Sequence, residues 1–302
     1  MNTQTFPFEL VTPCFSGSAN PEAQAEIRAP AIRGQLRWWF RVLGGFTSLA
    51  PLRVAQQERL VFGSAVPGAK SASRLIVQVK AAEPDQLRIL AARIPESAKA
   101  SLDREHGYLL FPLRNSRRAF FAAPALPKFD LVVHWRGDDR LWEDVRTLVT
   151  VFGHLGSLGF RSRRAMGALA FQSEPPPLEP ALGRFASSQS VLLKQLPAND
   201  ANHAIAVLAR WLKGWRNYGR TADLARTPQR SPGFKWARND HDAGRNRNIA
   251  QTYRPALGLP IVQRFSSGGP PITWNCLQGG RDDLQGRFAS PVLLRPYRAG
   301  AN

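Results

Sequence analysis

Three arginines at four-residue spacing, Arg33, Arg37 and Arg41, lie in the segment APAIRGQLRWWFRVLGG, and Arg28 stands just ahead of it. On a 3.6-residue helix this spacing makes one stripe of guanidinium groups. A guanidinium is planar and forks onto phosphate or carboxylate oxygens, so the chemistry on offer is the gripping of an anionic chain. Like charges four residues apart mildly oppose an isolated helix, and the stripe therefore predicts an external anion that offsets the repulsion. A second constellation, HLGSLGFRSRRAMGALAF, sets Arg161, Arg163 and Arg164 among Gly156, Gly159 and Gly167. Such glycines permit positive φ or close backbone approach, and a flexible basic loop between them can wrap a phosphate chain. No Gly-Lys-Ser/Thr follows, so nucleotide hydrolysis has no support. A third basic region, Arg210 to Arg264, holds twelve basic residues against three acidic ones, with Trp211, Trp215 and Trp236 interspersed. Lys235, Arg238, Arg245 and Arg254 are its candidate contacts. Cations interleaved with rings suit single-stranded nucleic acid, where phosphates take the charge and bases take the stacking.

Catalysis has fewer candidates. The five histidines, His106, His134, His154, His203 and His241, show no paired spacing for a metal. His154, beside the basic loop, is the one candidate general base for RNA cleavage, which keeps an endoribonuclease reading open as the alternative. Glu26 is expected to orient Arg28, while the adjacent pairs Asp138-Asp139 and Asp282-Asp283 read as solvated turns. No catalytic residue, metal site or cofactor is assigned, and binding without catalysis is the favoured expectation.

Composition supports a polyanionic partner. The 41 basic residues against 22 acidic ones give a net charge of +19, and 34 of the basic residues are arginine. Solubility alone does not call for that bias, although a GC-rich coding sequence or a scaffold facing acidic protein surfaces would also produce arginines. Cys14 and Cys276 are far apart without CxxC spacing, which suggests buried thiols in a reducing cytoplasm. No signal-like or membrane-spanning run is visible, and no membrane partner is expected.

The elements that must position these groups are partly legible. Strands are expected at Phe6–Val11, Arg74–Lys80, Tyr108–Leu113, Leu131–Trp135, Ala168–Gln172, Leu259–Phe265 and Pro291–Tyr297. Helices are expected from Pro30 to the Gly44-Gly45 stop, and at Glu83–Arg93, Leu141–Phe152 and Asn202–Trp215. In the first of these helices Ile32, Leu36, Trp39, Phe40 and Leu43 form the core face. Trp38 falls on neither face and suits a base, another subunit or a covering loop equally. The Pro-rich run 173–183 reads as a linker between units 1–172 and 184–302. The order of strands and helices suggests an α+β fold of two ferredoxin-like units with long inserted basic loops.

At these residues the chain resembles the RAMP superfamily of CRISPR proteins, with its nearest likeness in the first RAMP subunit of the Cmr-module (type III-B) effector complex. The matching pieces are FELVTPCFSGSA at 8–19, EIRAPAIRGQLRWWFRVLGG at 26–45, ERLVFGS at 58–64, LGSLGFRSRRAMG at 155–167, LGLPI at 257–261 and FASPVLLR at 288–295. Ala165 and Met166 depart from that pattern, standing where glycine and an aromatic are usual. The resemblance implies a non-catalytic RNA-binding subunit in a multisubunit ribonucleoprotein, near the 3′ end of the guide RNA where target RNA engages. It implies guide RNA, target RNA and other CRISPR effector subunits, especially other RAMP subunits, as partners.

Overall fold

The computed structural model describes residues 1–68, 70–94, 107–110, 118–123, 125–191 and 193–216, and, beyond these, 240, 243, 261–263, 272–274, 276–278, 281–286, 290 and 292–298. Two compact units divide the chain: Met1–Ala206 together with Arg295–Asn302, and Val207–Leu294.

The first unit is built on strand β1 (Asn2–Leu10), whose alternation sends Phe6, Phe8 and Leu10 to one buried face. After the short strand β2 (Gln24–Glu26) come helix α1 (Ala29–Val42), helix α2 (Val54–Phe62), strand β3 (Leu75–Lys80) and the short strand β4 (Arg88–Leu90). A single helical turn, α3 (Gly107–Leu110), precedes strand β5 (Lys128–Trp135), helix α4 (Trp142–Leu155) and strand β6 (Leu169–Phe171). The main sheet runs β3-β5-β1-β6, antiparallel throughout, with Phe8 opposite both Phe129 and Phe171. With α1 and α4 as the crossovers, this is the β-α-β-β-α-β order of a ferredoxin-like unit. Phe8 sits at the centre of its core, with ring centroids 4.9 Å from Phe171 and 6.4 Å from Phe152 of α4. Ile32, Leu36, Trp39, Phe40 and Leu43 are buried, as the periodicity of α1 requires.

Three expectations are corrected here. Glu83–Arg93 is not a helix: short 3₁₀ turns flank β4, which pairs with β2, while Leu87 O and Ala91 N bond to Ile27 N and Ala23 O. Those partners outbid the local helix ladder. Where Tyr108–Leu113 was expected as a strand, residues 107–110 form α3, and 111–113 lie outside the described residues. Pro291–Tyr297 shows no regular strand in its described part, only a bridge at Leu294, and the side chains of Arg295 and Tyr297 bond to the first unit.

The Pro-rich run 173–183 lies inside the first unit. It carries helix α5 (Leu178–Leu182), packed on α4 through buried Leu178 and Ala181, and the Pro176 carbonyl accepts from His154 Nε2 at 2.6 Å. Prolines stop helices and strands, but an extended proline segment can still be bonded through its carbonyls.

Helix α6 (Ala201–Arg216) follows close to the expected bounds. In the second unit the described strands form two small hairpins: β7 (Ile261–Gln263) with β8 (Ile272–Trp274), and β9 (Cys276–Gln278) with β10 (Arg281–Gly286). Among the described residues no helix is long and apolar enough to cross a membrane.

Candidate nucleic-acid interface

Helix α1 begins with Pro30 in its first turn and Arg28, exposed and extended, at its N-cap. The absence of acidic residues from that turn leaves its positive end unneutralised within the helix. The arginine stripe runs along α2. Arg33 donates to Phe62 O at the end of α2, Arg37 donates to Glu58, and Arg41 lies 3.7 Å from the same carboxylate. Glu58 is buried, and a buried carboxylate must be paired. The counter-charge expected from outside is thus supplied in part from within. One carboxylate facing Arg37 and Arg41, with Arg33 on a neutral carbonyl, leaves the stripe positive, and the Arg37 and Arg41 side chains stay 42% and 53% exposed.

The glycine-rich loop is pinned through its backbone rather than hung loosely. Phe160 N donates to Phe15 O at 2.9 Å, Gly167 N to Pro13 O at 2.8 Å, and Ala168 N to Thr12 Oγ1 at 2.9 Å. Gly159 and Gly167 have φ of +79° and +64°, and a Cβ on either would fall within 2.7 Å of backbone atoms of Phe15 or Leu158. Gly156 has ordinary φ but no room, since its Cβ would meet the Phe152 carbonyl. Ala165 adopts φ +70°, a left-handed conformation that favours glycine over a residue with a Cβ.

The three loop arginines take different routes. Arg161, itself at φ +63°, donates from Nε to Leu109 O at 2.7 Å and so caps α3. Arg164 turns back onto Arg163 O at 2.9 Å. Arg163 reaches α1, with its guanidinium carbon 5.5 Å from the centroid of Trp38, a cation–π distance. Trp38 is half-buried and meets Trp39 edge-on at 5.0 Å. The covering loop anticipated as one reading of Trp38 is therefore the arginine loop itself. At this pair the loop meets helix α1, 125 residues earlier in the sequence, at a residue off the arginine stripe. Lys235, Arg238, Arg245 and Arg254 lie outside the described residues.

His154 is buried, and both its ring nitrogens are engaged. The Pro176 carbonyl can only accept, so Nε2 carries the hydrogen and Nδ1 accepts from the Tyr297 hydroxyl at 3.0 Å. Burial holds the imidazole pKa below its ordinary value, and nearby Arg295 adds to the effect. The geometry describes a pinned neutral histidine. Glu26 pairs with Arg88 at 3.2 Å instead of orienting Arg28, because β2–β4 pairing sets the two directly opposite. Asp138 accepts from Arg140 N at 3.0 Å as a turn cap, and Asp139 accepts from Asn2. Burial pushes the Cys14 thiol up to about 12, which makes it an inert core group.

Sequence reasoning missed Glu58, Arg295 and Tyr297 as parts of this region. The first two lay in recognised motifs, ERLVFGS and FASPVLLR, but neither motif reveals its partner.

Comparison with known proteins agrees with the fold. The RAMP superfamily pattern matches residues 7–170, more than half of the chain, and the chain belongs to that superfamily. Within it the similarity is to Cmr proteins of Pyrococcus furiosus. The CRISPR system Cmr subunit Cmr1-1 is 27% identical over 56% of this chain and 47% of its own length. The subunit Cmr1-2 is 24% identical over 55% of this chain and 94% of its own. The alignment thus spans about half the length of the first relative. The crystal structure of apo Cmr1 from the same organism superposes with a TM-score of 0.51 at 21% identity, covering 78% of each chain, which speaks to the fold alone.

Proposed function

We propose that this protein is a non-catalytic RNA-binding subunit of a type III-B CRISPR effector ribonucleoprotein. In this reading it sits at the 3′ end of the guide RNA and helps capture target RNA, in contact with other RAMP subunits in the cytoplasm. A second ferredoxin-like unit is built from the later part of the chain. The basic stretch holding Lys235, Arg238, Arg245 and Arg254 adds phosphate contacts.

The observation that supports the reading is the Arg163–Trp38 contact, which brings the loop against the helix that carries the stripe. Arg28, Arg37 and Arg41, at the N-cap and along the same helix, are all reached by solvent and offer further positive charge. A run of guanidinium groups grips successive phosphates of a single strand without reading its sequence, which suits a subunit that must accept any guide. His154 supports the binding reading over the nuclease one, because its hydrogen-bonding capacity is already filled.

The test is the RNA that co-purifies with the protein from cells that express the whole effector. Sequencing should return a common repeat-derived tag joined to varied spacers. Random cellular RNA, or none, would count against the assignment.

A further inference from the structure

The chain leaves the first unit after Ala206 and re-enters it at Arg295. That returning residue lies against the base of the glycine-rich loop. Arg295 Nε donates to Gly156 O at 2.8 Å, and one Nη donates to Gly153 O at 3.0 Å and to Leu169 O. Gly153 and Gly156 stand at the C-terminal end of α4, where carbonyls lack helical partners and carry partial negative charge. Leu169 opens β6. One guanidinium thus bonds to both ends of the loop between them, from 126 to 142 residues away along the chain.

Arg295 as a residue is half-buried, but its guanidinium end lies inside, where desolvation lowers its pKa to about 9. Its partners among the described residues are backbone carbonyls and the Tyr297 ring, 5.9 Å away. Taking an arginine head out of water against neutral carbonyls alone is unfavourable unless several bonds are made at once. The planar fork meets three carbonyls in two directions; an ammonium has no equivalent geometry. The Tyr297 hydroxyl on His154, and His154 on Pro176, secure the same segment to α4.

We propose that Arg295 is a positioning residue for the RNA-gripping loop: by fixing both ends of that loop it holds Arg163 against α1 and sets the RNA affinity. The proposal rests on the RNA-binding reading above and deepens it. Arg295 touches no RNA; it acts through Arg163.

The test is a double-mutant cycle in the 302-residue chain, read as affinity for a labelled single-stranded oligouridylate. Arg295→Met keeps an unbranched apolar stem and removes the fork. It should weaken binding roughly tenfold, and Arg163→Ala on top of it should add little, since residues acting as one unit are non-additive. Arg28→Ala on top of Arg295→Met should instead multiply in full. Amide exchange should quicken across 157–167 while β1 and β5 stay protected. If Arg163→Ala alone leaves affinity unchanged, the RNA reading fails and the proposal falls with it. If Arg163→Ala weakens binding but Arg295→Met does not, or the two effects multiply in full, the positioning role is wrong while the RNA reading stands. Should Arg295→Met fail to fold, Arg295→Lys enters the same cycle and is judged by the same coupling.

Discussion

The arginine stripe of α1 and the arginine loop after α4 are held by opposite means. On α1 the backbone is a regular helix and the arginines are tethered at their tips, by Glu58 and the Phe62 carbonyl of α2. In the loop the backbone is the constrained part, fixed by left-handed glycines, by bonds to Pro13 and Phe15, and by Arg295 beneath. A helix fixes where a side chain starts and must then steer its flexible end. A loop must first be forced into one path. The two elements touch where Arg163 meets Trp38.

This contrast can be broken at its strongest point first. Gly167→Ala should destabilise the fold by about 2 kcal/mol or more, because a side chain is strained at positive φ and its Cβ would strike the Leu158 carbonyl. Urea unfolding at unchanged slope would measure it; a neutral effect would mean the loop path is not enforced. Next comes the helix tether. Arg37→Ala leaves the buried Glu58 with only the more distant Arg41 and should cost about 1–2 kcal/mol, well under a fully buried pair, since the Arg37 side chain is 42% exposed. Tyr297→Phe removes the donor to His154 Nδ1 and should cost about 1 kcal/mol. The smallest effect has the opposite sign. Gly34, mid-helix on α1 with open space around it, should tolerate alanine with a gain of about 0.5–1 kcal/mol.

Acid adds a check on the α4 end of the loop. His154 is held neutral in the folded protein, whereas an unfolded histidine takes its proton near pH 6.5. The unfolded chain therefore binds more protons as pH falls through that value. The His154 contribution is complete above it and is lost progressively below it, down to the lowered folded pKa. Chemical denaturation across that range should show stability falling with acid, and His154→Gln should flatten the fall.

Much of the first unit is legible in the sequence because periodicity reports burial. The alternation at Phe6–Val11 finds β1, and the 3.6-residue face of α1 names the right core residues. Glu83–Arg93 misleads because its helix-like composition is overridden by pairing with β2, a partner about 60 residues earlier. The proline run misleads because carbonyl bonding and the packing of Leu178 are invisible in a composition. In the site, the glycines and arginines are evident from type and spacing. Their division of labour is not, since nothing in the sequence separates Arg161, which caps α3, from Arg163, which meets Trp38. Glu58 and Arg295 are equally silent, because their partners are defined only once the chain has folded.

The central claim is that helix and loop present one continuous anion track. Its most direct test is the affinity of the Arg28→Ala, Arg41→Ala, Arg163→Ala triple variant for single-stranded RNA, titrated across a range of salt. The account predicts weaker binding with a log–log salt slope shallower by up to about 2, at roughly 0.7 for each phosphate no longer neutralised. Affinity and slope equal to those of the unaltered protein would contradict it.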